Sequence, residues 1–340
     1  MRYTEVCNVK ISEGRQGKID NAEMQETCYT FAEKLGGNDM NEKQELVIRT
    51  LSYLEEHLQE TLSLQTVAQL MQYSPYYLHR SFTQLCGMRM HDYVKRRRIS
   101  EAARCLCETD ASVLEIAISY GYESSQAFSQ AFKQLYKMTC TQFRREQQYY
   151  ALQHPLQLHE LNQTESAMRE LQIRQAVPRD MDTWMQLMRQ AVDFFPYLEE
   201  AAYEQQLLKC MKQKEAFLAS FEKTAFAAIQ LQLKSGQIDV LAIHPQLRCL
   251  DAVKQLIEWM QCTCAPHTDL VITCFRAADR ADAGYRRLLL EAGFVCGEEL
   301  VELGYPVQRL YYRRTTGCVR IHWIRPVRCR SCFALWLHLL

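Results

Sequence analysis

The chain predicts two folds in succession: an all-α domain made of two helix–turn–helix units, then an α/β domain with a mixed sheet. Three observations predict it. A helical period of apolar residues runs from about 43 to 150, broken by short polar turns. Within that region one helix–turn–helix plan occurs twice. Beyond about 170 the texture changes to short β-like runs interleaved with helical stretches.

The first unit is "SLQTVAQLMQYSPYYLHRSFTQLCG", residues 63–87. Ser63 is a fitting N-cap, and Leu64, Val67, Ala68 and Met71 follow at helical spacing. Ser74-Pro75 then starts a second helix, a cap followed by proline at the first helical position. Tyr77, Leu78 and Phe82 form its apolar face, while Tyr76, His79 and Arg80 fall on another. The second helix of such a pair lies in a DNA major groove.

The plan returns roughly fifty residues later in "SVLEIAISYGYESSQAFSQAFKQLY", residues 112–136. Val113, Ile116, Ala117 and Tyr120 mark its first helix, Gly121 the turn, and Phe128 and Phe132 the buried face of the second. Ser125, Gln126, Ser129 and Gln130 face outward. "MHDYVKRRRISEAARCLCETD" connects the units as one helix with its basic residues near the start. A rigid connector can present two recognition helices to successive major-groove faces, ~34 Å apart.

These residues resemble the AraC/XylS family of transcription regulators over about 100 residues, through "YYLHRSF", "DYVKRRRISEAARCL" and "LEIAISYGYESSQAFSQAFKQLYKMTCTQFRR". The resemblance implies that both second helices read base edges of double-stranded DNA, through Tyr76, His79 and Arg80, then Ser125, Gln126, Ser129 and Gln130. Arg98 and Lys133 are the expected phosphate contacts. The family usually has Arg where Gln130 stands, Gly where Lys137 stands and Pro where Cys140 stands. Arg suits guanine and Gln suits adenine, so the second unit is expected to read differently or to contribute mainly affinity.

In the second half, "LQIRQ", "AFLASF", "AFAAIQLQL", "IDVLAI", "DLVITCF" and "RLYYRR" read as strands. Helices are expected from near Asp180, after "AIHPQLR", and over "DAGYRRLLLEAGF", which Gly293 closes. "IRQAVPRDMD", "LAIHPQLR" and "LLEAGF" resemble the GNAT superfamily of N-acyltransferases over about 140 residues. That resemblance implies acetyl-CoA or CoA as cofactor. The strand ending at Ile243 would hold the pantetheine, and Arg248, Cys249, Val253 and Lys254 would surround the pyrophosphate.

The turn argues against that use. Cys249, Asp251 and Val253 occupy positions where the superfamily has glycines, so side chains crowd the anion. A carboxylate at Asp251 beside a phosphate costs on the order of 4 kcal/mol at ~4 Å and an effective dielectric near 20. The tyrosine that protonates the leaving thiolate in many members is replaced by Leu289; Tyr285, one turn earlier, is the substitute candidate. Glu222 and His244 are general-base candidates by position alone.

The expected organisation is a polar N-terminal arm (1–42), the double helix–turn–helix domain (43–150), a linker (151–170), the α/β domain (171–314) and an irregular tail (315–340). A formal net charge of zero gives no global sign of a nucleic-acid or membrane partner. Fifteen cysteines scattered through apolar patterns, with no secretory leader, are expected as free thiols in a reducing cytoplasm. The CxxC at Cys329 and Cys332 lacks a second well-spaced pair, so no metal site is expected. No apolar run reaches the roughly 20 residues of a membrane span.

The functional expectation is a DNA-binding transcription regulator whose α/β domain senses a ligand or partner, or mediates assembly, without catalysis. The alternative is a regulator that also transfers an acyl group from acyl-CoA. RNA polymerase and a small-molecule effector are the further partners such a regulator implies.

Overall fold

The computed structural model describes residues 39–158, 171–191, 200–221, 224–302 and 304–313. The tail, most of the arm, Glu222 and residues 159–170 lie outside the described residues. The arm gives way to helix earlier than expected, at Asp39.

Seven helices form the first domain: α1 (Asp39–Glu56), α2 (Leu64–Met71), α3 (Pro75–Cys86), α4 (Met90–Glu108), α5 (Val113–Ser119), α6 (Ser125–Tyr136) and α7 (Cys140–Glu146). Their starts are written locally. Ser63, Ser74, Ser112, Ser124 and Thr139 each accept a backbone N–H from the first turn of the helix that follows. Such caps contribute about 1 kcal/mol apiece. Cys140 occupies the first position of α7, where proline is also at home, so its departure from the family pattern costs the helix nothing.

Each helix–turn–helix unit has its own core. Leu46, Leu54, Val67, Leu78, Phe82 and Tyr93 pack in the first. Ile99, Ile116, Phe128, Phe132, Tyr136 and Phe143 pack in the second. The 19 residues of α4 span about 28 Å and contribute to both cores.

Residues 151–158, expected as the start of a linker, are instead packed against α4. Leu152 is buried in the second core and Leu156 in the first, and the Gln153 N–H donates to Ser100 Oγ at 2.9 Å. The two leucines, with Arg97 donating to the Gln153 carbonyl at 2.9 Å and the Leu156 N–H donating to Tyr93 Oη at 3.2 Å, hold the segment down.

The second domain is a seven-stranded sheet in the order β1-β2-β3-β4-β5-β7-β6. Its strands are β1 (Leu171–Gln175), β2 (Ala216–Phe221), β3 (Thr224–Leu231), β4 (Gln237–Ile243), β5 (Leu270–Phe275), β6 (Val295–Glu302) and β7 (Tyr305–Tyr312). Helices α8 (Met181–Ala191) and α9 (Glu200–Gln213) cover one face; α10 (Leu250–Trp259) and α11 (Tyr285–Glu291) cover the other. Ala216 and Leu218 pack under α8 and α9, and Phe217 and Ala219 on the opposite side, so β2 is apolar from Ala216 to Ala219 rather than alternating.

All neighbouring strands are antiparallel except β4 and β5. That parallel pair is joined only at Gln237–Val271 and Ile238–Ile272, and beyond these residues the strands part.

Candidate nucleic-acid interface and the coenzyme-like turn

The two units repeat with an offset of fifty residues, from the Ser74 cap to the Ser124 cap. Burial of Leu78 and Phe82 in α3, and of Phe128 and Phe132 in α6, fixes which face each helix turns outward. On α3 that face carries Tyr76 and Arg80, both exposed, with His79 half-buried between them. On α6 it carries Gln126, Gln130 and Lys133, exposed, with Ser125 and Ser129 half-buried. Spacings of three and four residues place each set on one stripe. The stripes combine cations, amides, hydroxyls and an aromatic ring, which suits phosphate and base-edge contacts.

Arg98 is placed differently. Its Nε donates to the Leu58 carbonyl at 2.7 Å and its Nη2 to the Glu60 carbonyl, while Nη1 abuts Gly121. This guanidinium ties the loop after α1 to the turn of the second unit, rather than reaching out. The preceding arginines are buried. Arg97 pairs with Glu55 at 2.8 Å and Glu101 at 2.9 Å. Arg96 donates to the carbonyls of Ala281 at 2.8 Å and Leu152 at 3.4 Å. Three consecutive arginines that resemble a phosphate-binding run thus serve internal structure.

In the second domain the residues of the coenzyme-like turn are brought together but are committed to the protein. Ile243 and Val253 are fully buried, Cys249 is half-buried and Lys254 is exposed. The backbone amides of Leu247, Arg248 and Cys249 already donate to the carbonyls of His244, Pro245 and Leu247 at 2.9, 3.3 and 3.0 Å. Arg248 folds back, with Nε on the Ile243 carbonyl at 3.2 Å and Nη2 on the Ala191 carbonyl at 2.8 Å. Tyr285 donates its hydroxyl to the Leu241 carbonyl, in the stretch of β4 that is paired with β3 but not with β5, under the Arg248 guanidinium at 5.2 Å. His244 is buried, with Nε2 2.9 Å from the Gln157 carbonyl.

The outer side of the same turn meets the first domain. A Cβ built on Gly87, the C-cap of α3, would lie 3.5 Å from the Pro245 carbonyl oxygen and 3.9 Å from Pro245 Cβ. A second contact lies at the C-cap of α6. Lys137 Nζ pairs with Asp279 Oδ1 at 2.9 Å and also donates to the Gln134 carbonyl at 2.7 Å. Tyr305 Oη lies 3.1 Å from Asp279 Oδ1 and 3.3 Å from the Leu135 carbonyl. Burial first, then the neighbouring carboxylate, pushes that phenol far above its ordinary pKa, so it stays a donor. Sequence reasoning did not find Asp279, Ala281 or Tyr305. The signal present was Lys137, a lysine where a glycine belongs.

A family described as "Helix-turn-helix domain" matches residues 67–146. The probable transcription factor PqrA of Proteus vulgaris is 38% identical over 96 residues, which are 28% of this chain and 79% of that protein. The uncharacterized HTH-type transcriptional regulator YbfP of Bacillus subtilis is 35% identical over 92 residues, 27% of this chain. The chain spans only 31% of the length of YbfP. A solved structure of a GNAT-family acetyltransferase from Bacillus cereus is 9% identical with a TM-score of 0.35, covering 43% of this chain and 99% of that one. The first domain is thus that of an AraC-type transcription regulator, and the chain belongs to this family of helix–turn–helix proteins.

Proposed function

We propose that the protein regulates transcription by binding a specific DNA site with both helix–turn–helix units, and that its GNAT-like α/β domain controls this binding without acyl transfer. The observation that carries the DNA reading is the paired exposure of Tyr76 and Arg80 on α3 and of Gln126 and Gln130 on α6, at equivalent places in a fifty-residue repeat. Lys133 serves as a phosphate contact; Arg98, held by the Leu58 and Glu60 carbonyls, does not.

The non-catalytic reading of the second domain rests on its turn. Three amides, the Arg248 guanidinium and the Tyr285 hydroxyl are spent on internal carbonyls. A pyrophosphate would have to displace them and approach Asp251 as well.

The test is selection of duplexes from a random-sequence pool by the full-length chain, followed by titration at several salt concentrations. The expected result is enrichment of a two-part site whose affinity falls steeply with salt. Arg80→Ala should weaken it by about 1–3 kcal/mol and relax the preference at one position of one half-site. Absence of any enriched sequence would overturn the proposal.

A further inference from the structure

Aligning the chain on itself by fifty residues places Lys137 where the first unit has Gly87, each the left-handed C-cap of its recognition helix. Gly87 has φ 71° and Lys137 has φ 59°. Glycine adopts this conformation freely, whereas a lysine is strained there. The second domain touches both caps: Pro245 meets Gly87, and Asp279 pairs with Lys137.

We infer that the α/β domain acts as a clamp on the ends of both recognition helices, with Lys137 and Asp279 as positioning residues that fix the spacing of DNA half-sites the protein accepts. The inference rests on the proposed reading of DNA by α3 and α6.

The contact at Lys137 is built rather than incidental. The Asp279 side chain is 5% exposed and accepts from Lys137 Nζ, from Tyr305 Oη and from the Ala281 N–H at 2.9 Å. The Ala281 carbonyl in turn takes Arg96 Nη1 from α4, the helix that joins the two units. One loop of the α/β domain therefore grips both the connector and the end of α6. Lys137 Nζ also lies 5.5 Å from the centre of the Tyr305 ring, which is itself buried in the core of the second unit. Pro245, in the turn after β4, lies beside the corresponding end of α3, so loops at two places of the α/β domain meet the two recognition helices at equivalent points. A clamp of this kind limits the relative motion of the helices, so a DNA site is bound well only at the matching separation. The turn that resembles a pyrophosphate cradle is one jaw of the clamp.

The test uses the full-length protein and the duplexes it selects, with two base pairs inserted between the half-sites. Wild type should bind the lengthened duplex at least about tenfold more weakly than the selected one. Lys137→Gly, which relieves the cap while removing the pair, should lose less than about threefold on the same insertion. Asp279→Asn should behave alike. Lys137→Arg, which keeps a cation opposite Asp279, should retain the wild-type penalty. A uniform loss of affinity on both duplexes, with the spacing penalty unchanged in Lys137→Gly, would overturn the inference and leave the DNA-binding reading intact. Failure of wild type to bind any selected duplex would sink that reading, and this inference with it.

Discussion

Lys137 Nζ and Asp279 Oδ1 lie 2.9 Å apart across the boundary between the two domains, with the carboxylate almost wholly buried and the ammonium partly exposed. Removing one partner of such a pair leaves a buried charge short of a counter-ion, at a cost of about 3–5 kcal/mol. Lys137→Gly recovers about 1 kcal/mol from the left-handed cap, and Tyr305 and the Ala281 amide still donate to the carboxylate. The expected net loss is about 2 kcal/mol, read from the urea midpoint of the full chain. A variant more stable than wild type would show that the pair contributes little.

Gln126 and Lys133 lie on the same stripe of α6 but should fail in different ways. Gln126→Ala should cost about 1–3 kcal/mol on the selected site and relax preference at one base pair. Lys133→Ala should weaken all duplexes alike and lower the salt slope by about one. Titration against specific and scrambled duplexes at three salt concentrations separates the two. Identical behaviour of the variants would contradict this assignment of roles.

The coenzyme-like turn makes a prediction about binding that needs no DNA. Calorimetric titration of acetyl-CoA into the full-length chain should give no heat of binding at millimolar ligand. Arg248→Ala should destabilise the protein by about 1–3 kcal/mol instead, because the carbonyls of Ile243 and Ala191 lose their charged donor. Micromolar binding of acetyl-CoA, lost in Arg248→Ala, would reverse the reading of this domain.

His154 sits in the packed segment that follows α7, where burial foremost, then the nearby Arg97 and Arg189, hold its imidazole below the ordinary histidine pKa. The folded chain therefore binds this proton less readily than the unfolded chain. Its contribution to stability is present above the unfolded value of about 6.5 and is lost as pH falls through the depressed folded value. Denaturant midpoints measured from about pH 7.5 down to about pH 5 should decline for wild type. They should decline less for His154→Gln. Equal slopes in the two proteins would refute the assignment.

Much of the first domain was legible because its signals are local. Serine caps at Ser63 and Ser74, and apolar spacing around Phe82, Phe128 and Phe132, act within one turn of chain. Central strands such as β2 were visible as apolar runs because both faces are covered. The edge strand β6 was missed, since its mostly exposed "VCGEELVE" carries no alternation to read. The stripes on α3 and α6 followed from the helical period, whereas the fate of Arg96, Arg97 and Arg98 did not. Their partners Ala281, Glu55 and Leu58 are distant in sequence, and a basic run has the same appearance whether it is solvated or buried. Lys137 was noticed as a departure, but only the fold supplies Asp279 as its reason.

The central claim is that both recognition helices engage one DNA site while the α/β domain holds them. Hydroxyl-radical footprinting of the full-length protein on its selected duplex tests this most directly. The account predicts two protected patches on one face of the duplex, centred about one helical turn, ~34 Å, apart. Gln126→Ala should weaken one patch and Arg80→Ala the other. A single protected patch that responds to only one of these substitutions would contradict it.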